Sequence, residues 1–152
     1  MQTGELAHAP VQSQAKPLHR ILAVEDEPDI RRIIAMTLHR AGYYVDTAED
    51  GAFAWKALNA SHYDLLITDN TMPGVTGLEL IMKVRSEEMP LSVILASGTV
   101  PTEELDSHPW LQLDAVLLKP YSMEELLGAV KKVLCKTDDA ADSNPVLGGH
   151  DL

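Results

Sequence analysis

Five polar residues each lie just past the end of a short apolar run of the chain. They comprise three carboxylates, one hydroxyl and one ammonium, at Glu25, Asp26, Asp69, Ser97 and Lys119. If the fold brings the carboxylates together, their like charges disfavour joint ionisation. A hard divalent cation relieves that conflict, and Mg²⁺ binds one or two carboxylates together with water and phosphate oxygens. The pattern therefore predicts a Mg²⁺ site.

The same residues could also perform phosphoryl transfer. A carboxylate such as Asp69 can attack phosphorus and form an aspartyl phosphate. The ammonium of Lys119 would stabilise phosphoryl oxygens as a point charge, and the hydroxyl of Ser97 could donate a hydrogen bond to another. Such a site works by positioning groups and neutralising charge.

Short apolar runs alternate with segments of helical periodicity along the chain. The runs that predict strands are residues 21–24, 43–47, 64–68, 91–96 and 115–118. This alternation is typical of an α/β fold, a doubly wound five-stranded parallel sheet with helices on both faces. Right-handed crossovers favour the flavodoxin-like strand order 2-1-3-4-5. Strands one and three are then neighbours, so the three acids should meet at the carboxyl edge.

Local signals place the helices between these strands. Pro28 can open the first helix, with Ile30, Ile33, Ile34 and Leu38 as its apolar stripe. Asp50 can cap the second helix, and Ser122 with Glu125 forms a capping-box pattern before the last.

The fourth helix should be irregular. Pro109 interrupts residues 99–114 and would break or kink a helix there. We expect a short helix or an irregular segment, with Trp110 packed inward as an anchor.

Composition excludes several classes of protein. The 152 residues have 12 Lys+Arg and 23 Asp+Glu, a net charge of −11, which argues against nucleic-acid partners and anionic membranes. The single cysteine, Cys135, excludes a disulfide framework within the chain. Residues 1–17 lack the pattern of a secretory signal and no apolar run could span a membrane, so we expect a cytoplasmic location.

The two ends differ in composition from the middle. Residues 1–18 show no periodicity, and residues 137–152 are rich in Asp and Gly. We predict a disordered N-terminal tail over 1–18, a folded domain over 19–136 and an acidic disordered tail over 137–152.

Four motifs in this order resemble one family. They are Glu25-Asp26-Glu27-Pro28, Asp69-Asn70-Thr71-Met72-Pro73-Gly74, Ala96-Ser97-Gly98 and Leu118-Lys119-Pro120-Tyr121. Over residues 19–136 the chain resembles a response-regulator receiver domain of two-component signalling.

The resemblance implies a role for each site residue. Asp69 matches the phosphoacceptor, and Ser97 and Lys119 match the residues that contact the phosphoryl group. Glu25, Asp26, Asp69 and the backbone carbonyl of Thr71 match the groups that hold Mg²⁺. The implied donor is a phosphohistidine on a histidine kinase or histidine phosphotransfer protein, and the output partner is unknown. In the family the bond before Pro120 is often cis. The resemblance implies a phosphoacceptor switch rather than an enzyme.

The chain departs from the family at three places. Val116 stands at the switch position that is often aromatic, Gln112-Leu113 replaces a common Gly-Ala turn, and Pro109 disturbs the fourth helix. We therefore expect the change linked to phosphorylation to centre on the loop after Ser97 and on residues 99–114.

Other functions stay open at this point. The chain could be a stand-alone receiver or the receiver of a hybrid histidine kinase. An unphosphorylated flavodoxin-like binding module is an alternative that rests on the fold alone. An Asp-nucleophile phosphatase is disfavoured, because such enzymes typically need a second Asp where this chain has Thr71.

Overall fold

The computed structural model describes residues 18–150, so the tail predicted before residue 18 lies outside the described residues. The strands are β1 (Arg20–Val24), β2 (Tyr44–Ala48), β3 (Leu65–Asp69), β4 (Ser92–Ser97) and β5 (Ala115–Leu118). The helices are α1 (Pro28–Arg40), α2 (Gly51–Ala60), α3 (Gly77–Ser86), α4 (Thr102–Ser107) and α5 (Met123–His150), with a 3₁₀ helix at Pro109–Leu111. Among the described residues, no helix combines the length and apolar character needed to span a membrane.

The five strands form one parallel sheet in the order β2-β1-β3-β4-β5, which confirms the predicted doubly wound fold. The predicted strand limits agree with the structure to within about one residue. In register, Val24 pairs with Thr68, and Asp69 pairs with Ala96. The carboxyl ends of β1, β3 and β4 are therefore level, and the residues that follow them share one edge.

The core lies on both faces of the sheet. One cluster joins α2 and α3 to strand residues such as Leu22, Leu66 and Leu95. The other joins α1 and α5 to the alternate residues of the same strands, including Ile21 and Leu65. Because both faces are buried, the strands are continuous apolar runs rather than alternating ones.

Side chains fix the starts of three helices. Asp50 accepts a hydrogen bond from the Phe53 amide at 2.9 Å, which confirms the predicted cap of α2. Ser122 and Glu125 form the predicted capping box of α5. A second capping box, Thr76 with Glu79, begins α3 and was not predicted.

The segment between β4 and β5 is irregular, as predicted, but its anchor is a different residue. Trp110 is 46% exposed and stacks edge-on against His108, whereas Leu111 is fully buried. The 3₁₀ helix that begins at Pro109 has about three residues per turn, and that turn directs Leu111 rather than Trp110 into the core. The prediction for Trp110 is therefore wrong.

The stripe of α1 also differs from the prediction. Ile34 and Leu38 are buried, but Ile30 and Ile33 are exposed. These two side chains line a groove together with Pro120. The first turns of α1 therefore leave apolar surface open next to the carboxyl edge.

Helix α5 continues to His150, past residue 136, and the predicted limits of the folded domain stay a prediction. Two contacts hold the added turn. Thr137 Oγ1 lies 3.1 Å from Ser92 Oγ, and His19 Nε2 lies 3.1 Å from Asp138 Oδ1. The composition of residues 137–152 could not reveal these two contacts, because each joins residues that are far apart in the chain.

Arg85, at the end of α3, holds the irregular segment in place. Its mostly buried guanidinium donates hydrogen bonds of 2.9 Å to the carbonyls of Leu91, Leu111 and Gln112. Asp114 lies 3.8 Å from the same group. Burial lowers the pKa of Arg85, and Asp114 opposes that shift.

We predict that Arg85→Met lowers the free energy of unfolding by about 2–3 kcal/mol, because three carbonyls lose a charged donor. Urea unfolding at neutral pH measures the change. Arg32→Met is the matched control, since Arg32 is 67% exposed and forms an exposed ion pair with Asp29 one turn earlier in α1. Equal losses in the two variants would contradict this role.

Candidate functional site

Three carboxylates meet at the carboxyl edge of the sheet. Glu25 and Asp26 follow β1, and Asp69 ends β3, its neighbour in the sheet. One carboxylate oxygen from each lies within 4.8 Å of the others. Glu25 is 3% exposed and Asp69 is 4% exposed. The structure thus brings together the three acids predicted from the sequence.

The backbone around Glu25 fixes its side chain. Its amide donates to the Ala48 carbonyl at 3.0 Å, and its Oε2 accepts from the Glu27 amide at 3.0 Å. Burial raises the pKa of Glu25 above its ordinary value, and the charges of Asp69 and Asp26 raise it further. The Glu27 amide and Lys119 oppose that rise in pKa.

Asp69 forms an ion pair with Lys119 through Oδ1. That buried oxygen receives no well-directed hydrogen bond within the described residues. One ammonium therefore faces a cluster of three carboxylates, and a carboxylate oxygen remains able to accept more. Both facts fit a donor set that can hold a divalent cation.

Ser97 and Lys119 complete this edge from β4 and β5. Ser97 is buried, and its Oγ accepts from the Thr99 amide at 3.4 Å. The Lys119 amide donates to the Ser97 carbonyl at 2.9 Å. The Lys119–Pro120 bond is cis, as expected. All five residues singled out from the sequence therefore lie at one edge of the sheet.

A close approach between α3 and β3 was missed by the sequence analysis. A Cβ atom on Gly77 would overlap the carbonyl oxygen of Asp69 and lie 2.8 Å from the Cα of Asn70. The Asn70 side chain accepts from the Leu78 amide at 3.1 Å. Only glycine lets the helix start this near to Asp69. The sequence contains a signal for this close approach, because a glycine, Gly77, directly follows the capping residue Thr76 at the start of the helix.

An open groove of about 470 Å³ borders the acids. Its lining is mostly apolar, from Glu25, Ile30, Ile33, Lys119, Pro120, Tyr121 and Met123. Burial, followed by the charges of Glu25 and Asp69, raises the pKa of Tyr121 to about 12. The Tyr121 phenol therefore stays neutral next to the acids, and its side chain forms part of the lining of the groove.

Within the part of the chain that the structure describes, two predicted residues have no contact that assigns them a role. Thr71 is exposed in the loop after β3, and its carbonyl as a metal ligand stays a prediction. Val116 is half-buried on β5 and pairs in register with Leu95. Its role as the atypical switch position and its effect on switching stay predictions.

Comparison with known proteins points to one family. Residues 21–131 match the model of the response regulator receiver domain. The response regulator receiver protein CpdR of Brucella abortus is 32% identical over 118 residues, which are 77% of this chain and 98% of CpdR. The alkaline phosphatase synthesis transcriptional regulatory protein PhoP of Bacillus subtilis is 32% identical over 82% of this chain. The chain spans about half of PhoP, at 52% of its length.

A solved structure agrees with both sequence comparisons. The response regulator TrrA of Thermotoga maritima, crystallised with Mg²⁺ and BeF, superposes with a TM-score of 0.67 at 36% identity. The match covers 76% of this chain and 99% of TrrA. With its 2-1-3-4-5 sheet and the acids gathered at its carboxyl edge, the chain belongs to the response regulator receiver domain family of two-component signalling.

Proposed function

We propose that this receiver accepts a phosphoryl group on Asp69 from a phosphohistidine of a partner protein. The partner is a histidine kinase or a histidine phosphotransfer protein. The observation that supports this proposal best is the pairing of Asp69 with Lys119 inside a cluster of three carboxylates. Receiver domains act as phosphoacceptor switches, so the proposal assigns this family role to particular residues.

In the proposed reaction, an oxygen of Asp69 attacks phosphorus while the bond from phosphorus to the donor imidazole breaks. The imidazole leaves with the electron pair of that bond and takes a proton from water. Lys119 stays close to the oxygen of the new acyl phosphate and stabilises its negative charge. Ser97 donates its hydroxyl hydrogen to a second phosphoryl oxygen, and rotation of its side chain toward that oxygen would lengthen the 3.4 Å contact between Oγ and the Thr99 amide.

Mg²⁺ is the proposed cofactor, held by Glu25, Asp26, Asp69 and the backbone carbonyl of Thr71. When bound, it neutralises the acids and the incoming phosphoryl oxygens. The three carboxylates within 4.8 Å of one another support this assignment. The chain's own contribution is to keep Glu25 and Asp69 almost fully out of water, where their attraction for a cation is stronger.

The groove beside Glu25 and Lys119 supports an approach of the donor along α1. Its apolar lining would remove water from around the donor imidazole before transfer. The cytoplasmic location expected from the sequence is part of the same proposal. The output partner would contact surfaces whose conformation depends on the state of Asp69.

We predict that the wild-type chain gains one phosphoryl group from acetyl phosphate with Mg²⁺, and that Asp69→Asn abolishes this gain. The amide of Asn is a much poorer nucleophile than a carboxylate. Intact-mass spectrometry measures the phosphorylated fraction. Asp50→Asn is the matched control, because Asn caps α2 as well as Asp does.

Two results would contradict the assignment. No mass gain on the wild type would favour an unphosphorylated binding module. An equal gain on Asp69→Asn would place the phosphoryl group on another residue.

We expect the stability of the cation-free protein to decrease as pH rises from 4.5 through the raised pKa of Glu25. The folded state binds this proton more tightly than the unfolded chain, so the group favours folding at the acidic end of that window. Glu25→Gln should remove this part of the pH dependence and stabilise the protein at neutral pH. Urea unfolding over a pH series measures both effects.

Glu49→Gln is the control for that series, because Glu49 is exposed and lies outside the acid cluster. An identical pH profile for Glu25→Gln and wild type would show that Glu25 does not titrate in this range.

Phosphorylation should change amide hydrogen exchange mainly in residues 98–114. The Oγ of Ser97 accepts from the Thr99 amide at 3.4 Å, and rotation of this side chain toward the phosphoryl group would weaken that bond. Val116 has no ring that could pass the change along β5. Exchange mass spectrometry with and without the phosphoryl donor tests this. Asp69→Asn should show no change, and a response only outside residues 98–114 would refute the expectation.

A further inference from the structure

Arg31, on α1, reaches back over the loop that joins β1 to α1. Its Nη1 donates to the Glu25 carbonyl at 2.8 Å and lies 3.4 Å from the Asp26 carbonyl. Its own amide donates to the Glu27 carbonyl at 2.9 Å. Arg31 is therefore hydrogen-bonded to three consecutive residues, Glu25, Asp26 and Glu27, which form the acidic loop between β1 and α1.

We propose that Arg31 is a positioning residue for the Mg²⁺ site. By holding two consecutive carbonyl groups, it fixes the backbone from which the side chains of Glu25 and Asp26 extend. This inference rests on the proposed binding of Mg²⁺ by those acids. Arg31 itself stays outside the set of ligands.

The acidic loop needs such a tether because its own charges act against its geometry. Glu25, Asp26 and Asp69 repel one another at the distances found here. The carboxylate of Glu25 is held locally by the Glu27 amide. Asp26 is half-exposed, and its backbone carbonyl is held by Arg31. One guanidinium nitrogen, Nη1, contacts both carbonyls, and the rigid, planar guanidinium holds that nitrogen in a fixed position.

The tether and the positive charge of Arg31 have opposite effects on the affinity for Mg²⁺. Whether a substitution of Arg31 weakens or tightens Mg²⁺ binding therefore shows which of the two dominates. The positive charge of Arg31 repels a nearby cation, and removing only that charge would tighten binding. Removing the tether would weaken binding, because the acids would lose their preset arrangement. The neighbouring Arg32 has the same charge on the same helix, but it is 67% exposed and pairs with Asp29.

The experiment compares wild type, Arg31→Met, Arg31→Lys and Arg32→Met by isothermal titration with Mg²⁺. We expect Arg31→Met to bind about ten-fold more weakly despite losing a positive charge. Arg31→Lys keeps the charge without the planar guanidinium and should fall between Arg31→Met and wild type. Arg32→Met should stay within about two-fold of wild type, because its charge is screened by solvent.

A second readout separates positioning from general damage to the fold. At saturating Mg²⁺, Arg31→Met should be phosphorylated by acetyl phosphate within about two-fold of the wild-type rate, because only its affinity for the cation is reduced. A low rate that Mg²⁺ does not restore would overturn the positioning role.

Binding by Arg31→Met that is unchanged or tighter would also overturn it. If Arg31→Met does not fold, Arg31→Lys decides, since wild-type affinity in that variant contradicts the need for the guanidinium. If wild type itself binds no Mg²⁺, the proposed function fails first, and the two failures are thereby distinguished.

Discussion

The repulsion among three carboxylates at a buried sheet edge is the constraint on which the rest of this structure depends. Asp69 and Glu25 are almost completely withdrawn from water, and one ammonium, from Lys119, faces them. Isolated buried charges would be costly, so the surrounding groups must compensate. The Glu27 amide, the ion pair with Lys119 and the tether from Arg31 all contribute to that compensation.

Most of the fold could be predicted because its signals are local or periodic. Apolar runs bounded by polar residues located all five strands, and the alternation with helices limited the topology to few choices. Helix caps such as Asp50 and Ser122 are visible within four residues of sequence. The same logic located the site, since residues that follow parallel strands must share an edge.

The errors came from features that depend on contacts between distant segments. Trp110 was expected inside because it is large and apolar, but the 3₁₀ turn after Pro109 places Leu111 there instead. The contacts of α5 with His19 and Ser92 could not be predicted either, because these residues are far away in sequence. Arg31, Arg85 and Gly77 were missed for the same reason, because each is defined by the backbone atoms it approaches.

The contacts of α5 with His19 and Ser92 also determine where the two ends of the domain emerge. His19 directly precedes β1, and Ser92 is the first residue of β4, so both lie at the amino edge of the sheet. The acids lie at the opposite edge, about 16 Å away along a five-residue strand. A fluorophore, affinity tag or fused protein joined near residue 18 or beyond residue 138 would thus begin on the far side of the molecule. The carboxyl edge would stay open to an approaching protein.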